Sequence, residues 1–119
     1  MGEVHVEIVV VNPRTGARSE GFTALADTGA TLTVIPGEIL RSLGIQKVRT
    51  VSFLLADGRR ASRDVGDAAV AVNGESVPCR VVFGESGDAV LLGLTVLEQA
   101  GFAVDPVQRR LVPSDFLLY

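Results

Sequence analysis

The feature that most restricts the fold of this chain is a series of short apolar runs rich in valine and isoleucine, each bounded by turn-forming residues. β-Branched residues favour extended backbone, so each run is predicted to be a strand. The runs are residues 4–11, 18–26, 32–35, 48–55, 61–72, 77–83, 90–92, 102–104 and 110–113. Strands at such regular spacing predict an all-β domain, either a barrel or a sandwich.

Several segments between the runs predict hairpins. Residues 12–16, Asn-Pro-Arg-Thr-Gly, join the first two runs, because proline fixes φ and glycine accepts a positive φ. Residues 57–58 (Asp-Gly) and 73–74 (Asn-Gly) are strong hairpin signals between apolar runs. Residues 105–109 form the turn of a last hairpin.

Two short helices are predicted among the strands. Pro36 suits the first turn of one helix, and Gly44 ends it. Thr95 is predicted to be the N-cap of the other helix, with Glu98 three residues later, and Gly101 ends that helix.

Composition excludes several kinds of site. The 119 residues are enough for one domain and contain one cysteine, Cys79, and one histidine, His5. A lone cysteine excludes an intrachain disulfide and a zinc site with several thiolates. A lone histidine argues against a His-rich metal site and a histidine-dependent triad. We therefore expect no metal ion, no cofactor, and chemistry carried by carboxylates or hydroxyls.

Charge and hydropathy exclude two classes of partner. The net charge is −3, with one lysine and 5% aromatic residues, so there is neither a basic stripe nor a stacking platform for nucleic acid. No apolar run approaches the ~20 residues that a bilayer requires. Residues 1–5 lack the basic region and apolar stretch of a signal peptide. We expect no membrane association and a cytoplasmic location.

Residues 27–30, Asp-Thr-Gly-Ala, are the candidate for chemistry. They lie between two apolar runs, where a charge such as that of Asp27 is costly to bury unless it is paired or shares a proton. Thr28 can hydrogen-bond locally, and Gly29 lets the backbone approach the carboxylate closely. Taken alone, this short motif fits an ordinary turn equally well.

Two segments together resemble the retropepsin-like aspartic proteases, the single-domain relatives of pepsin. Residues 25–30, Leu-Ala-Asp-Thr-Gly-Ala, match the catalytic turn of that family. Residues 91–93, Leu-Leu-Gly, followed by the helical segment 94–101, match its second signature. The resemblance covers roughly residues 4–113 of a single domain that spans 1–119. It implies a closed acid-protease barrel with a flap hairpin over a cleft.

The chain departs from the viral members of that family at two positions. Viral enzymes place an aspartate and an arginine, which form an ion pair, at the positions of Thr31 and Leu94. Because both partners are absent together, no lone buried charge is left behind. The chain therefore resembles the cellular and bacterial members more than the viral ones.

The resemblance implies an aspartic endopeptidase that cleaves peptides or unfolded protein segments. This chemistry needs two carboxylates that share one proton, and the chain has a single Asp-Thr-Gly. The resemblance therefore implies a homodimer in which the second carboxylate is Asp27 of another copy.

The resemblance also implies roles for the neighbouring residues. Thr28 would hold the two loops together by hydrogen bonds, while Gly29 and Ala30 would offer backbone groups to an extended substrate. A flap at residues 55–61 would close over the peptide. The expected flap and substrate-binding residues are Leu55, Ala56, Asp57, Gly58 and Leu94.

Two other readings of the same residues stay open. A catalytically silent dimerisation or peptide-binding module would keep the fold, because a fold does not establish an activity. An autoprocessing protease cut from a longer precursor is the other alternative. An intact Asp-Thr-Gly favours the enzyme over the silent module.

Overall fold

A computed structural model describes residues 2–118, so Met1 and Tyr119, the ends of the predicted 1–119 domain, lie outside the described residues. All-β architecture with two short helices is confirmed. In chain order the elements are β1 (His5–Val11), β2 (Phe22–Asp27), β3 (Thr33–Pro36), α1 (Gly37–Ser42), β4 (Lys47–Leu54), β5 (Arg60–Val72), β6 (Glu75–Gly84), β7 (Leu91–Gly93), α2 (Leu94–Ala100), β8 (Phe102–Asp105) and β9 (Arg110–Pro113).

Most strands belong to one sheet. Its order is β1-β2-β7-β3-β6-β5-β4, and β8 and β9 form a separate pair. Strand β5 also pairs with β1, so the pairings form a ring through β1, β2, β7, β3, β6 and β5, from which β4 extends. The β2–β7 and β3–β6 pairings are parallel. The short β7 lies between β2 and β3, both of which are distant from it in the sequence.

The two Xaa-Gly hairpin predictions are confirmed. Asn73 and Gly74 have φ angles of 46° and 85°, and positive values at both positions are what a type I′ turn requires. The other turn joins β4 to β5 through Asp57 and Gly58, and it is closed by a 2.8 Å hydrogen bond from the Leu55 N–H to the Arg59 carbonyl.

The first hairpin is looser than predicted. Strand β2 begins at Phe22, and the predicted strand residues 18–21 keep an isolated bridge between Val11 and Arg18 and a 2.9 Å hydrogen bond from the Ser19 N–H to the Val10 carbonyl. The Val10 N–H donates to the Ser19 hydroxyl at 3.0 Å. Because a side chain accepts this hydrogen bond, the regular backbone ladder does not extend through this segment.

The core combines inward-facing residues of the strands with apolar residues of both helices. Burial of each such side chain contributes about 1.5–3 kcal/mol. The polar residue Asn12 is also buried, and its amide donates to the Leu43 carbonyl at 2.8 Å, which ties the first turn to the end of α1. Large side chains with full burial include Ile8, Val10, Ile35, Leu40, Val70, Val81, Leu92 and Leu97.

Helix α2 begins earlier than predicted. Its N-cap is Gly93, so the prediction that Thr95 caps it is wrong. Strand β7 runs directly into the helix, and Thr95 lies within the first turn, where its hydroxyl donates to the Thr31 carbonyl at 2.9 Å. Gly101, with φ of 82°, ends the helix as predicted. Within residues 2–118, neither helix is long and apolar enough to cross a membrane.

Candidate active site

Asp27 is the last residue of β2, where the strand gives way to the 27–30 turn. It pairs in register with Gly93 of the parallel strand β7, and β7 also contacts β3 through the Leu91–Val34 pair. The strands before and after the turn are therefore both fixed to β7. Asp27 itself is half-buried, whereas Thr28 is exposed.

Backbone groups of the turn orient the Asp27 carboxylate. The Gly29 N–H donates to Asp27 Oδ1 at 2.8 Å, and the Ala30 N–H donates to the Asp27 carbonyl at 3.2 Å. A Cβ atom on Gly29 would lie 3.2 Å from the same Oδ1, so glycine suits this close approach. The carboxylate is thus held by its own turn.

The underside of the turn is fixed by close packing on Gly93. A Cβ atom at Gly93 would lie 2.6 Å from the Leu32 carbonyl oxygen and 3.0 Å from that of Ala30. The Gly93 N–H donates to the buried Thr33 hydroxyl at 2.9 Å. Sequence reasoning missed Thr33, although a threonine within the apolar run at 32–35 was a visible signal for a buried polar contact.

The predicted substrate-binding residue Leu94 lies at the first position of α2 and is half-buried. Its N–H donates to the Ala30 carbonyl at 2.7 Å. Thr95 adds a second link through its hydrogen bond to Thr31. Leu94 and Thr31 are the two positions where viral enzymes carry an ion pair, and here backbone and hydroxyl hydrogen bonds join the same segments. The Leu94 side chain is not among those that line the cavity described next.

A cavity of about 660 Å³ lies beside the turn. Its walls combine the turn, the β4–β5 hairpin and the segment before β7, and most of the lining side chains are apolar. Asp27 does not line it directly, but the next residues of the turn do. The lining residues are Gly29, Ala30, Thr31, Leu32, Val34, Phe53, Leu54, Leu55, Ala61, Arg63, Val82, Asp88, Ala89 and Leu91.

The structure places the predicted flap residues in two groups. Leu55 lines the cavity together with Leu54 and Phe53, which sequence reasoning did not single out. Ala56, Asp57 and Gly58 are exposed at the tip of the hairpin and do not line the cavity, and Asp57 is bound there by the Arg59 side chain at 2.6 Å. The Arg59 hydrogen bonds hold the pKa of Asp57 below its usual value.

Two charged side chains in the cavity wall were also missed from the sequence. Arg63 of β5 and Asp88, in the connection between β6 and β7, form an ion pair with a 2.7 Å contact from Nε to Oδ2. The hydrogen bonds from Arg63 hold the pKa of Asp88 below its usual value, and those to Asp88 raise the pKa of Arg63. Asp88 carries the one carboxylate among the described lining residues, and it is already paired.

Metal-ligating side chains are not clustered in the part of the chain that the structure describes. No group of three or more histidine, cysteine, aspartate or glutamate residues there could hold a metal ion.

The site thus places an aspartate on an Asp-Thr-Gly turn that pairs with a Leu-Leu-Gly strand, beside a cavity walled in part by a hairpin. A family model described as "gag-polyprotein putative aspartyl protease" matches residues 17–99, which is more than half of the chain. The chain belongs to this family, and the sequence-based identification as a retropepsin-like aspartic protease is confirmed. No curated protein matches the sequence.

Solved structures of viral proteases share the fold. The Simian foamy virus (mac) protease is 22% identical and has a TM-score of 0.54, over 78% of this chain and 90% of that chain. The EIAV protease, in complex with the inhibitor HBY-793, is 14% identical with a TM-score of 0.58, over 98% of this chain and 93% of that chain. A retropepsin-like aspartic protease from Rickettsia conorii is 22% identical with a TM-score of 0.48, over 88% of this chain and 94% of that chain.

Proposed function

We propose that this chain is an aspartic endopeptidase whose catalytic pair consists of Asp27 from each of two identical copies. The observation that carries the proposal is the placement of Asp27, which ends a strand beside an apolar cavity and is oriented by the Gly29 N–H at 2.8 Å. Membership of an aspartyl protease family supports the same chemistry. In this proposal one domain spans the chain, with its core at about residues 4–113.

A second copy is needed because one chain supplies one suitable carboxylate. The motif Asp-Thr-Gly occurs once in the 119 residues. The cavity carboxylate of Asp88 is bound by Arg63, and Asp57 lies at the exposed hairpin tip. A two-fold axis beside the 27–30 turn would bring two equivalent aspartates together.

In the proposed mechanism the two aspartates share one proton, because like charges so close cannot both ionise. The ionised carboxylate accepts a proton from a water molecule, which attacks the scissile carbonyl carbon. The protonated carboxyl donates its proton to the carbonyl oxygen. Collapse of the tetrahedral intermediate, with protonation of the leaving amine, releases the two products. The aspartates act directly on the water and the peptide, without a cofactor.

The neighbouring residues have supporting roles in this proposal. Thr28, exposed in the described chain, would hydrogen-bond to the turn of the second copy. Gly29 and Ala30, which line the cavity, would present backbone groups to a peptide bound as an extended strand. Leu55 would contact the peptide from the flap, with Ala56, Asp57 and Gly58 forming the moving tip. Leu94 would act from beneath the turn, through its hydrogen bond to Ala30.

The first test compares wild type with Asp27→Asn on a peptide library from acidic to neutral pH. Loss of the carboxylate should reduce cleavage by at least about a thousandfold, because both the acid and the base roles depend on it. Asp67→Asn is the matched control, since Asp67 is an exposed carboxylate outside the cavity, and it should cleave normally. Equal background cleavage by wild type and Asp27→Asn would refute the proposal and favour the silent module.

A second test examines whether the site is shared. Wild type held at constant concentration is mixed with an equal amount of Asp27→Asn. Random pairing should reduce its activity to about half, because mixed dimers have one catalytic carboxylate. Sedimentation equilibrium of the same samples should show dimers. Undiminished activity in the mixture, or an active monomer, would contradict the shared pair.

A further inference from the structure

The ion pair between Arg63 and Asp88 is the most sheltered in the described structure. Its side chains are 21% and 27% exposed, whereas those of Arg80 and Asp67, a pair with the same 2.7 Å distance from Nε to a carboxylate oxygen, are 38% and 61% exposed. Arg63 contacts both oxygens of Asp88, with Nη2 at 2.9 Å from Oδ1. Two parallel hydrogen bonds of this kind fix geometry more strictly than a single contact does.

The pair joins a strand of the sheet to a loop outside it. Arg63 lies on β5 just beyond the flap, opposite Val51 of β4. Asp88 belongs to the connection that leads from β6 to β7. By contrast, Asp67 and Arg80 face each other on adjacent paired strands, where the backbone ladder already sets their separation. Of these two pairs, only Arg63–Asp88 joins segments whose separation is not already set by a backbone ladder between them.

Asp88 also shapes its own segment. Its Oδ2 accepts a 2.8 Å hydrogen bond from the Glu85 N–H, and its own N–H donates to the Glu85 carbonyl at 2.9 Å. The connection is thus folded around the carboxylate that Arg63 holds. Glu85 adds a weaker contact, 3.5 Å from Arg63 Nη1.

The segment that Asp88 shapes leads directly to Asp27. The carbonyl of Val90 accepts a hydrogen bond of 2.9 Å from the Leu25 N–H, and β7 then pairs with the end of β2. Arg63 and Asp88 both line the cavity beside the 27–30 turn. A single side-chain pair therefore connects the flap strand to the cavity wall that continues into the strand supporting Asp27.

We propose that Arg63 and Asp88 are positioning residues that hold the flap strand against the cavity wall and so keep the peptide-binding cleft in its binding-competent shape. The kinetic part of this inference rests on the proposed peptidase function. The structural part, a tether between two segments of the chain, does not. Arg63 and Asp88 act through the shape of the cleft and take no part in the proton transfers assigned to Asp27.

The kinetic experiment compares Arg63→Met with Arg80→Met. Both changes keep a long unbranched side chain and remove one cation from a pair of equal length. Arg63→Met should raise KM for a cleaved peptide by about tenfold and change kcat by less than about twofold, because substrate binding is weakened while the chemistry of bound substrate is retained. Arg80→Met should change neither constant. An unchanged KM in Arg63→Met, or an equal change in both variants, would overturn the proposal.

The structural experiment does not depend on activity. Amide hydrogen exchange is measured for residues 55–61 and 85–90 in wild type and both variants. Arg63→Met should accelerate exchange in both segments by about tenfold, since removing the tether lets them open locally, and Arg80→Met should not. Unaltered exchange in Arg63→Met would refute the tether even if the wild type is an active peptidase. Absence of cleavage by wild type would refute the proposed function and leave the exchange result to decide the tether.

A second variant guards against a misfolded Arg63→Met. Asp88→Asn keeps the shape of the side chain and one acceptor for the Glu85 N–H, so it should accelerate exchange in the same two segments by a smaller factor. The double variant Arg63→Met/Asp88→Asn should match Arg63→Met, because the interaction is already absent. Additive effects in the double variant would show that the two residues act separately and would contradict the proposal.

Discussion

The two halves of β5 share one backbone conformation but have different surroundings. The inner half, residues 65–72, pairs with β6 throughout and with β1 at residues 69–71, and most of its side chains are buried. The outer half, residues 60–64, pairs with β4 alone, and its side chains are exposed or half-buried. One strand therefore contributes to the core at one end and to the edge of the cleft at the other.

This difference predicts which half of β5 is needed for stability and which half can open locally. Segments with few buried apolar contacts open at low free-energy cost, whereas core strands open only with global unfolding. Near the junction of the halves, Gly66 pairs with Lys47, and the register shifts between Lys47 and Arg49. We therefore expect substitutions in the inner half to change stability, and those in the outer hairpin to change substrate binding.

The largest change in stability is expected from Val70→Ala in the inner half. Val70 is 0% exposed and lies between partner strands on both sides. Loss of two buried methyl groups and the cavity left behind should reduce the free energy of unfolding by about 2.5 kcal/mol. Urea denaturation followed by circular dichroism measures this change. If Val70→Ala lowered the free energy of unfolding no more than a substitution at an exposed residue does, the distinction between the two halves of β5 would be wrong.

Gly66→Ala, at the junction of the two halves, should have the next largest effect on the free energy of unfolding. A Cβ atom there would lie 2.8 Å from the Gln46 carbonyl oxygen and 3.0 Å from the Phe83 ring. Overpacking against backbone should reduce the free energy of unfolding by about 2 kcal/mol. The matched control is Ala68→Gly, which opens space instead of filling it. An unchanged free energy of unfolding in Gly66→Ala would show that β5 can move away from Gln46 and Phe83 at this point without strain.

Leu54→Ala tests the outer hairpin, and a smaller effect on stability is expected. Leu54 is 66% exposed and lines the cavity at the end of β4. The free energy of unfolding should change by less than about 0.5 kcal/mol, while KM for a cleaved peptide should rise about threefold through loss of apolar contact. Destabilisation as large as that of Val70→Ala would show that the hairpin belongs to the core.

The smallest perturbation is chemical labelling of cysteine. Burial, followed by the charge of Asp67, raises the pKa of Cys79 on β6 to about 12. Because the thiolate is the reactive form, Cys79 in native protein should react with a disulfide reagent at neutral pH at least about a hundredfold more slowly than an exposed thiol. Ser62→Cys places such a thiol on the outer half of β5.

The Ser62→Cys protein should therefore have one thiol that reacts fast and one that reacts slowly, whereas wild type should have only the slow thiol. In denaturant both thiols should react fast. Rapid labelling of native Cys79 would mean that the inner part of the sheet opens as readily as the outer hairpin.

Local signals in the sequence were sufficient for much of the fold. The Asn73-Gly74 turn was predictable because two successive positive φ angles are accessible to those residue types, and Gly101 ends α2 for the same kind of reason. Where a side-chain hydrogen bond or the direct connection of two elements overrides the local preference, the prediction fails. The Ser19 hydroxyl interrupts the first hairpin, and the direct passage of β7 into α2 moves Thr95 from the cap into the helix.

The sequence by itself determined the strand pattern, the family, and Asp27 as the candidate for chemistry. These follow from the order and spacing of neighbouring residues. Tertiary structure decided which distant residues meet: Thr33 binds Gly93 across 60 positions, and Arg63 binds Asp88 across 25. The physical reason is that apolar periodicity specifies which face of a strand is buried, whereas the partner of a polar side chain depends on how the whole sheet closes.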